Sequence, residues 1–309
     1  RENKRLMSSN PKFLSAGQFH DVLETNRTES PLILSFPHSG GIYPDDFGYD
    51  PKLTFEQVDF PTDKYVDELF ADGEDLGYST IKANFPRSYV DVNRHQHDID
   101  ENMLEKGKWY GRLLPGSVQA GATLFWSITN GLPIYDRKLS HEEAKTRLAK
   151  YFIPYHQAMT QLVEERRRFH GRVYVIDCHS MTRFDTKLRG GKERPQIDIG
   201  TRNGGSCATD LSDKMAELFE ARGYLVGVNK RFVGGEITLR YGWPELDQHI
   251  FQVELRRDLY MDEATRNRNE NFLKVKSDCT AILRDFKEYI AQRDHAENNN
   301  SDIHDRRSS

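Results

Sequence analysis

The sequence lacks any long hydrophobic run, since no stretch approaches the roughly 18 consecutive apolar residues that a membrane-spanning helix needs. No apolar segment follows the basic residues at its start, as one would in a signal peptide. It also lacks an excess of positive charge, because 44 Lys and Arg residues face 48 Asp and Glu residues and leave a net charge of −4. These absences argue against a membrane or a nucleic acid as the partner of this protein.

Cysteine is scarce as well. The 309 residues contain three cysteines, Cys178, Cys207 and Cys279, an odd number at wide spacing. Such a set is untypical of a secreted disulfide framework and typical of a protein from a reducing compartment. We therefore expect a cytoplasmic protein.

Hydrophobic residues make up 37 % of the sequence, and part of the polar excess lies at its two ends. Residues 1–10 and 295–309 are polar, and we expect both segments to be disordered tails. No internal repeat and no linker divides the residues between them. The sequence thus predicts a single domain over residues 11–294, a length that allows a substantial core.

Short apolar runs bounded by turn residues predict the strands, which lie at 32–36, 80–85, 173–178, 197–200, 224–228 and 250–255. Helical spacing predicts one helix capped by Thr62, one opened by the S-x-x-E pattern at Ser140 and kinked at Pro154, one after Ser206, and a last one at about 262–293. This alternation predicts an α/β protein with three layers, α/β/α, around a mixed, mostly parallel central sheet.

Two histidines stand where ligands bind in such sheets, outside the carboxyl ends of the strands. His38 follows the first of these strands and precedes Gly40 and Gly41, which let backbone approach a ligand closely. His179 ends a later strand, and period-two alternation directs Asp177 to the same face. A carboxylate that orients an imidazole is common at zinc sites. Alternatively, each of these side chains completes a structural hydrogen bond in the core.

A catalytic zinc takes three protein ligands and leaves a fourth position for water, so a third ligand is needed. Asp63 and Asp67 lie four residues apart and would share one face of the helix that follows Thr62. Asp63 would lie in the first turn, close to the strand ends, and Asp67 one turn deeper, where it would brace a ligand. Both acids also suit the start of a helix for electrostatic reasons alone.

Glu254 lies inside an otherwise apolar predicted strand, near its end. Burial would raise the pKa of its carboxyl toward the range of a general base, which metal-assisted hydrolysis requires. The same position would equally suit a buried ion pair with Arg240, Arg256 or Arg257.

Arginines recur near predicted strand ends and in loops, and their guanidinium groups are natural partners of carboxylates. Several of them around one zinc ion would select a small acidic substrate, whereas each by itself would serve as a structural salt-bridge partner. They are Arg87, Arg94, Arg202 and Arg240.

Nine segments, in this order, resemble the N-formylglutamate amidohydrolase (N-formylglutamate deformylase) family. They are PHSGGIYPDDF, TDKYVDELF, NFPRSYVDVNR, GLPIYDRKLSHEEA, PYHQAM, VIDCHSM, DIGTRNGGSCA, VGGEITLRYG and QVELRRDLYMDE. The resemblance extends over residues 31–263. It implies a fold similar to that of zinc carboxypeptidases and hydrolysis of N-formyl-L-glutamate to L-glutamate and formate, late in histidine degradation.

By this resemblance, His38 and His179 bind one zinc ion per chain and Glu254 is the general base. Carboxypeptidases carry a Glu shortly after the first zinc-binding His, where this sequence has Ser-Gly-Gly. The acidic ligand is therefore assigned to Asp63, with Asp67 as the second choice.

The substrate-binding residues follow from the same resemblance. Asn93 and Arg94 correspond to the Asn-Arg pair that holds a substrate carboxylate in carboxypeptidases, with Arg202 and Arg240 as further candidates. Two rival functions fit the same residues. One is hydrolysis of another N-acyl amino acid on the same scaffold, and the other is non-catalytic binding of a metal or a carboxylate. A serine hydrolase fits less well, because no G-x-S-x-G motif is present.

Overall fold

The computed structural model describes residues 12–14, 20–23, 30–107, 109, 113–114, 116–185 and 191–307. The N-terminal tail expected at residues 1–10 lies outside these ranges. Within them, the helices are all too short or too polar to cross a membrane. The three cysteines are buried free thiols.

The strands and α-helices of this part of the chain are numbered in chain order. The strands are β1 (Lys12–Leu14), β2 (His20–Leu23), β3 (Leu32–Phe36), β4 (Ile42–Pro44), β5 (Ser79–Ala83), β6 (Ile128–Thr129), β7 (Leu132–Pro133), β8 (Val173–Met181), β9 (Phe184–Asp185), β10 (Lys192–Glu193), β11 (Ile197–Gly200), β12 (Val226–Val228) and β13 (Gln248–Arg256). The helices are α1 (Phe55–Asp59), α2 (Val66–Leu69), α3 (His141–Arg147), α4 (Ile153–His170), α5 (Thr209–Glu220), α6 (Glu236–Tyr241) and α7 (Phe272–Arg307).

The chain forms two compact units, each assembled from three chain segments. The smaller unit comprises the described residues within 1–21, 37–62 and 82–157, and the larger comprises those within 22–36, 63–81 and 158–309. The single domain expected over residues 11–294 stays a prediction.

Most of the central sheet belongs to the larger unit, and its seven strands follow the order β12-β11-β13-β8-β3-β5-β2. β3 and β13 both run parallel to β8, and β12 runs parallel to β11, whereas β11 and β13 are antiparallel. This confirms the mixed, mostly parallel sheet predicted from the alternation of strands and helices. The predicted strands at 32–36 and 197–200 have the observed bounds.

One face of this sheet is apolar. Leu34 on β3, Cys178 on β8, Val253 on β13 and Ile199 on β11 belong to one cluster of buried side chains, to which α2, α5 and α7 also contribute. Each such side chain contributes about 1.5–3 kcal/mol when it is removed from water. This face therefore stabilises the larger unit.

The other face carries buried polar side chains toward the ends of the central strands. On β8 they are Asp177 and His179, and on β13 Glu254. The strand register pairs Glu254 with His179 on one side and with Asp198 of β11 on the other. Because side chains alternate along a strand, these register partners project from the same face.

The smaller unit contains the parallel pair β1–β4 and the hairpin β6–β7. α3 begins after Ser140, whose Oγ accepts the N–H of Glu143 at 3.0 Å, as the S-x-x-E pattern predicted. A π-helical turn, Leu148–Phe152, separates α3 from α4. The interruption expected at Pro154 thus takes the form of a widened turn directly before the proline.

The helix predicted after Thr62 begins later than expected. Tyr65 adopts a left-handed conformation with φ of 69°, which an α-helix cannot contain, so α2 starts only at Val66. Asp63 consequently lies ahead of the helix and not in its first turn.

The last helix also differs from the prediction, since it runs from Phe272 to Arg307. It begins late because the Asp262 carboxylate accepts the N–H groups of Ala264 and Thr265 and closes a turn there. The helix includes residues of the polar segment 295–309, and extending an existing helix by a residue costs far less than nucleating one. The disorder expected for that segment stays a prediction.

Candidate metal centre

His179 lies near the carboxyl end of β8 and contacts carboxylates through both ring nitrogens. Its Nε2 lies 2.8 Å from Asp177 Oδ2, and its Nδ1 lies 3.2 Å from Asp63 Oδ2. Burial lowers the pKa of the imidazole, but Asp177, Asp63 and Glu254 raise it, and the net pKa lies well above its ordinary 6.5. Asp177 is therefore on the same side as His179, as the alternation predicted.

Asp63 is the carboxylate beside His179, and its side chain is fully buried. The other oxygen, Oδ1, accepts hydrogen bonds from Ser180 Oγ at 3.0 Å and from Arg257 NH2 at 3.2 Å. Asp67 lies farther along, on α2, and is only half-buried. The bracing role considered for Asp67 stays a prediction.

His38 follows the end of β3 by two residues, so chain connectivity holds it near the strand that pairs with β8. Its Nε2 lies 2.8 Å from Asp91 Oδ1. The second oxygen of Asp91 accepts from Arg87 NH2 at 2.9 Å and from Trp126 Nε1 at 3.0 Å. Burial raises the pKa of Asp91, but Arg87, His38 and Arg94 lower it, and the net pKa lies well below its ordinary 3.8. An ionised carboxylate, that of Asp91, therefore lies within hydrogen-bonding distance of His38 Nε2.

Gly40 secures the loop that carries His38. A Cβ atom at this position would overlap the backbone oxygens of Ala83 and Phe85, whereas one at Gly41 would meet nothing within 4 Å. Of the two glycines that the sequence placed near a ligand, Gly40 is therefore the one that a close backbone approach requires.

His38, Asp63 and His179 each offer one ligand atom, and these three atoms lie within 4.8 Å of one another. All three side chains are buried. Each histidine directs Nε2 to an aspartate, which orients the ring with Nδ1 toward the other side. Two imidazoles and one carboxylate are a donor set typical of a catalytic zinc ion that keeps one open position. These residues fit a metal ion.

Glu254 lies on β13, where it is 7 % exposed, and it is the register partner of His179. The three arginines considered as its ion-pair partners each contact another carboxylate. Arg240 Nε and Arg256 Nε bond to Glu236 and Asp258, and Arg257 bonds to Asp63.

Asn93 and Arg94 follow Asp91 directly in the smaller unit. The Asn93 N–H donates to Asp91 Oδ1 at 2.9 Å, the oxygen that also contacts His38. Arg94 Nε donates to the carbonyl of Ala122 at 2.7 Å. Asp91 therefore fixes the backbone of the Asn-Arg pair as well as the His38 ring.

Arg202 follows β11, which runs antiparallel to its neighbour β13. Ile197 at the start of β11 pairs with Leu255 and Gly200 at its end pairs with Gln252, so β11 ends away from the carboxyl end of β13. The apolar pattern of a strand does not encode this direction. The substrate-binding role expected for Arg202 stays a prediction.

The arginine that precedes β11, Arg194, lies at the edge where β8 ends. Its NH1 donates to Thr182 O at 2.9 Å, one residue beyond β8. Burial and the nearby Arg231 and Arg257 lower the pKa of Arg194, whereas Asp185 and Glu254 raise it, and the net pKa is lowered. The sequence did not single out Arg194, Asp91 or Ser180, because the contacts that place them here are not local in the sequence.

A mixed α/β sheet with two histidines, aspartates and a buried glutamate on or beside its central strands is typical of metal-dependent hydrolases. Comparison with known proteins identifies the group more closely. The N-formylglutamate amidohydrolase family model matches residues 30–261. The chain belongs to the N-formylglutamate amidohydrolase family.

Individual relatives agree with this assignment. The N-formylglutamate deformylase of Pseudomonas putida is 33 % identical over 246 residues, which cover 78 % of this chain and 86 % of the relative. That of Pseudomonas aeruginosa is 33 % identical over 248 residues, 79 % of this chain and 86 % of the relative. The crystal structure of N-formylglutamate amidohydrolase from Ralstonia eutropha JMP134 is similar with a TM-score of 0.83 at 33 % identity, over 89 % of this chain and 99 % of that one.

Proposed function

We propose that this protein hydrolyses the formamide bond of N-formyl-L-glutamate and releases L-glutamate and formate. The observation that carries the proposal is that His38, Asp63, His179 and Glu254 all lie in the region that matches the family. The relatives named N-formylglutamate deformylase support the choice of substrate.

The proposal includes one zinc ion per chain, held by His38, Asp63 and His179. The proximity of their ligand atoms supports this set. A bound divalent metal supplies Lewis-acid activation of the formyl carbonyl and of the attacking water. The protein contributes the orientation of the two imidazoles through Asp91 and Asp177.

Glu254 would act as the base. In the proposed reaction its carboxylate accepts a proton from the attacking water and returns it to the glutamate nitrogen as the C–N bond breaks. Its position opposite His179 in the strand register supports this role. Burial keeps bulk water away from the proton transfer.

The substrate carries two carboxylates, and we assign them to arginines. Asn93 and Arg94 are proposed to hold one carboxylate, supported by the hydrogen bond that fixes their backbone to Asp91. Arg202 and Arg240 remain candidates from the sequence alone, and Arg240 is already engaged by Glu236 at 2.8 Å. The partner is thus a small acidic N-acyl amino acid.

The compartment we propose is the cytoplasm. Three buried thiols that form no disulfide support a reducing environment.

The test is formate release from N-formyl-L-glutamate by the purified protein, with its metal content measured in parallel. N-acetyl-L-glutamate and N-formyl-L-glutamine serve as matched substrates that change the acyl group or remove the side-chain charge. We expect N-formyl-L-glutamate to have the highest kcat/KM, and about one zinc ion per chain. Chelation should abolish turnover and zinc should restore it. Turnover that survives complete metal removal, or a preference for another acyl group, would overturn the proposal.

A further inference from the structure

Asp63, Ser180 and Arg257 form a closed triangle of hydrogen bonds in the larger unit. Ser180 Oγ lies 3.0 Å from Asp63 Oδ1, Arg257 NH2 lies 3.2 Å from the same oxygen, and Arg257 Nε lies 3.0 Å from Ser180 Oγ. Each side chain is buried, with exposures of 0 %, 7 % and 5 % respectively. The triangle therefore lies within the protein and is shielded from competing water.

The two oxygens of Asp63 have different surroundings. Oδ1 accepts from Ser180 and Arg257, whereas Oδ2 lies 3.2 Å from Nδ1 of His179. Turning the carboxylate out of its present plane would break both hydrogen bonds to one oxygen and the contact of the other with His179. The surrounding residues thus hold the carboxylate in one orientation.

From this geometry we propose that Arg257 and Ser180 are positioning residues that make Asp63 a single-oxygen metal ligand through Oδ2. The inference rests on the proposed metal site of His38, Asp63 and His179. It adds that the preference for one oxygen is set in advance by groups that do not themselves touch the metal. Such outer partners commonly determine the orientation and the affinity of a ligand.

An arginine suits this position better than a lysine. One planar guanidinium group donates from Nε to Ser180 and from NH2 to Asp63 at the same time. An ammonium group has no such fixed fork and would have to choose between the two acceptors or bend both bonds. Arg257 also compensates the negative charge of an aspartate that is fully buried.

The neighbouring Arg256 provides a matched control. It is 6 % exposed, close to the 5 % of Arg257, but it bonds to Asp258 and Glu193 instead of Asp63. A general cost of shortening a buried arginine should therefore appear in both variants. A change in metal binding should appear only at Arg257.

The experiment measures the Kd of the full-length protein for Zn2+ by competition with a chromophoric chelator, in the absence of substrate. We expect R257K and S180A to weaken Zn2+ binding by roughly 10–100-fold, and R256K to leave it within about twofold. Thermal unfolding of the metal-free proteins reports whether each variant folds. S180T, which keeps the hydroxyl, should restore most of the affinity lost in S180A.

A double-mutant cycle separates positioning from a general packing effect. In a D63N background, R257K should cause little further loss of Zn2+ affinity, because the carboxylate that Arg257 orients is already gone. Equal losses in both backgrounds, or an unchanged Kd in folded R257K, would overturn the inference. Wild-type protein that binds Zn2+ but releases no formate would refute the proposed function and leave this inference standing. Wild-type protein that binds no Zn2+ would refute both.

Discussion

Glu254 and His179 are register partners on two adjacent parallel strands, and their side chains project from the same face of the sheet. Both are buried. Because the proposed base and the proposed metal ligand are fixed to neighbouring strands, they keep their separation without help from a loop. The sheet itself therefore sets the distance that the proposed proton transfer needs.

Replacing Glu254 with Gln should remove the base and keep the shape of the site. We expect kcat to fall by about 10²–10⁴-fold, while the Zn2+ content and the Tm change little. Steady-state kinetics and metal analysis of the same preparation measure both quantities. Glu217→Gln serves as the control, because Glu217 is exposed and bonds only to Lys214 in the described contacts. Near-normal turnover of E254Q would remove Glu254 from the mechanism.

Asp91→Asn should weaken Zn2+ binding by roughly 10–100-fold, because Asp91 orients His38 and balances the charge around it. Asp98→Asn is the matched control. Asp98 is also buried, but its Oδ1 accepts the backbone N–H of Gly116 at 2.8 Å and does not contact a histidine in the described contacts. Chelator competition should show the loss for D91N alone. Equal losses of Zn2+ affinity in both variants would mean that D91N weakens binding by destabilising the protein and not by releasing the His38 ring.

Zinc binding should release a proton near neutral pH. The pKa of His179 lies well above 6.5 in the metal-free protein, so its imidazole is mostly protonated there, and a metal ion binds only the unprotonated nitrogen. The affinity should therefore rise with pH until the pH exceeds the pKa of His179, and fall as the pH drops. Calorimetric titration in buffers of different ionisation enthalpy should detect about one proton released at pH 7. Binding enthalpies that are independent of the buffer would contradict this.

Gly40→Ala should destabilise the protein by about 1–3 kcal/mol, because the added Cβ overlaps the backbone oxygens of Ala83 and Phe85. Gly41→Ala should stay within about 0.5 kcal/mol of wild type, since nothing lies within 4 Å of its Cβ. Denaturant unfolding compares the free energies of unfolding of the two variants. If G40A lowered the free energy of unfolding as little as G41A does, the backbone near His38 would be able to move away from the added Cβ.

The two arginines that flank β11 should differ in their effect on substrate binding. Arg194 lies at the edge where β8 and β13 end, and Arg202 follows the opposite end of β11. A substrate held at the edge where β8 ends should make R194K raise KM for N-formyl-L-glutamate about tenfold or more and R202K change it by less than about twofold. A substrate carboxylate held by Arg202 should reverse these two effects.

Much of the sheet was predictable because buried strands are short apolar runs between turn residues. β3 and β11 have the predicted bounds, and β8 begins where predicted. The helices were harder to predict. The left-handed Tyr65 that delays α2 carries no local sequence signal, since it is neither Gly nor Asn.

The candidate site, like the fold, was predictable only in part. His38, His179 and Glu254 are recognisable as candidates because each ends or nearly ends an apolar run, and Asp177 because of its alternation with His179. The direction of β11, which Arg202 follows, is not readable from the sequence because strand direction depends on pairing. Ser180 and Arg257 were not recognised as partners of Asp63, since 117 and 194 residues separate them from it along the chain.

The division of the central sheet into an apolar and a polar face affects how this protein can evolve. Substitutions on the face beneath α5 and α7 should alter the stability of the fold, and substitutions at the proposed site on the other face should alter activity. Toward the carboxyl end of β8, Cys178 belongs to the first group, and Asp177 and His179 belong to the second. Selection for thermal stability and selection for hydrolysis of a different acyl group can therefore act on neighbouring residues of one strand with little conflict between them.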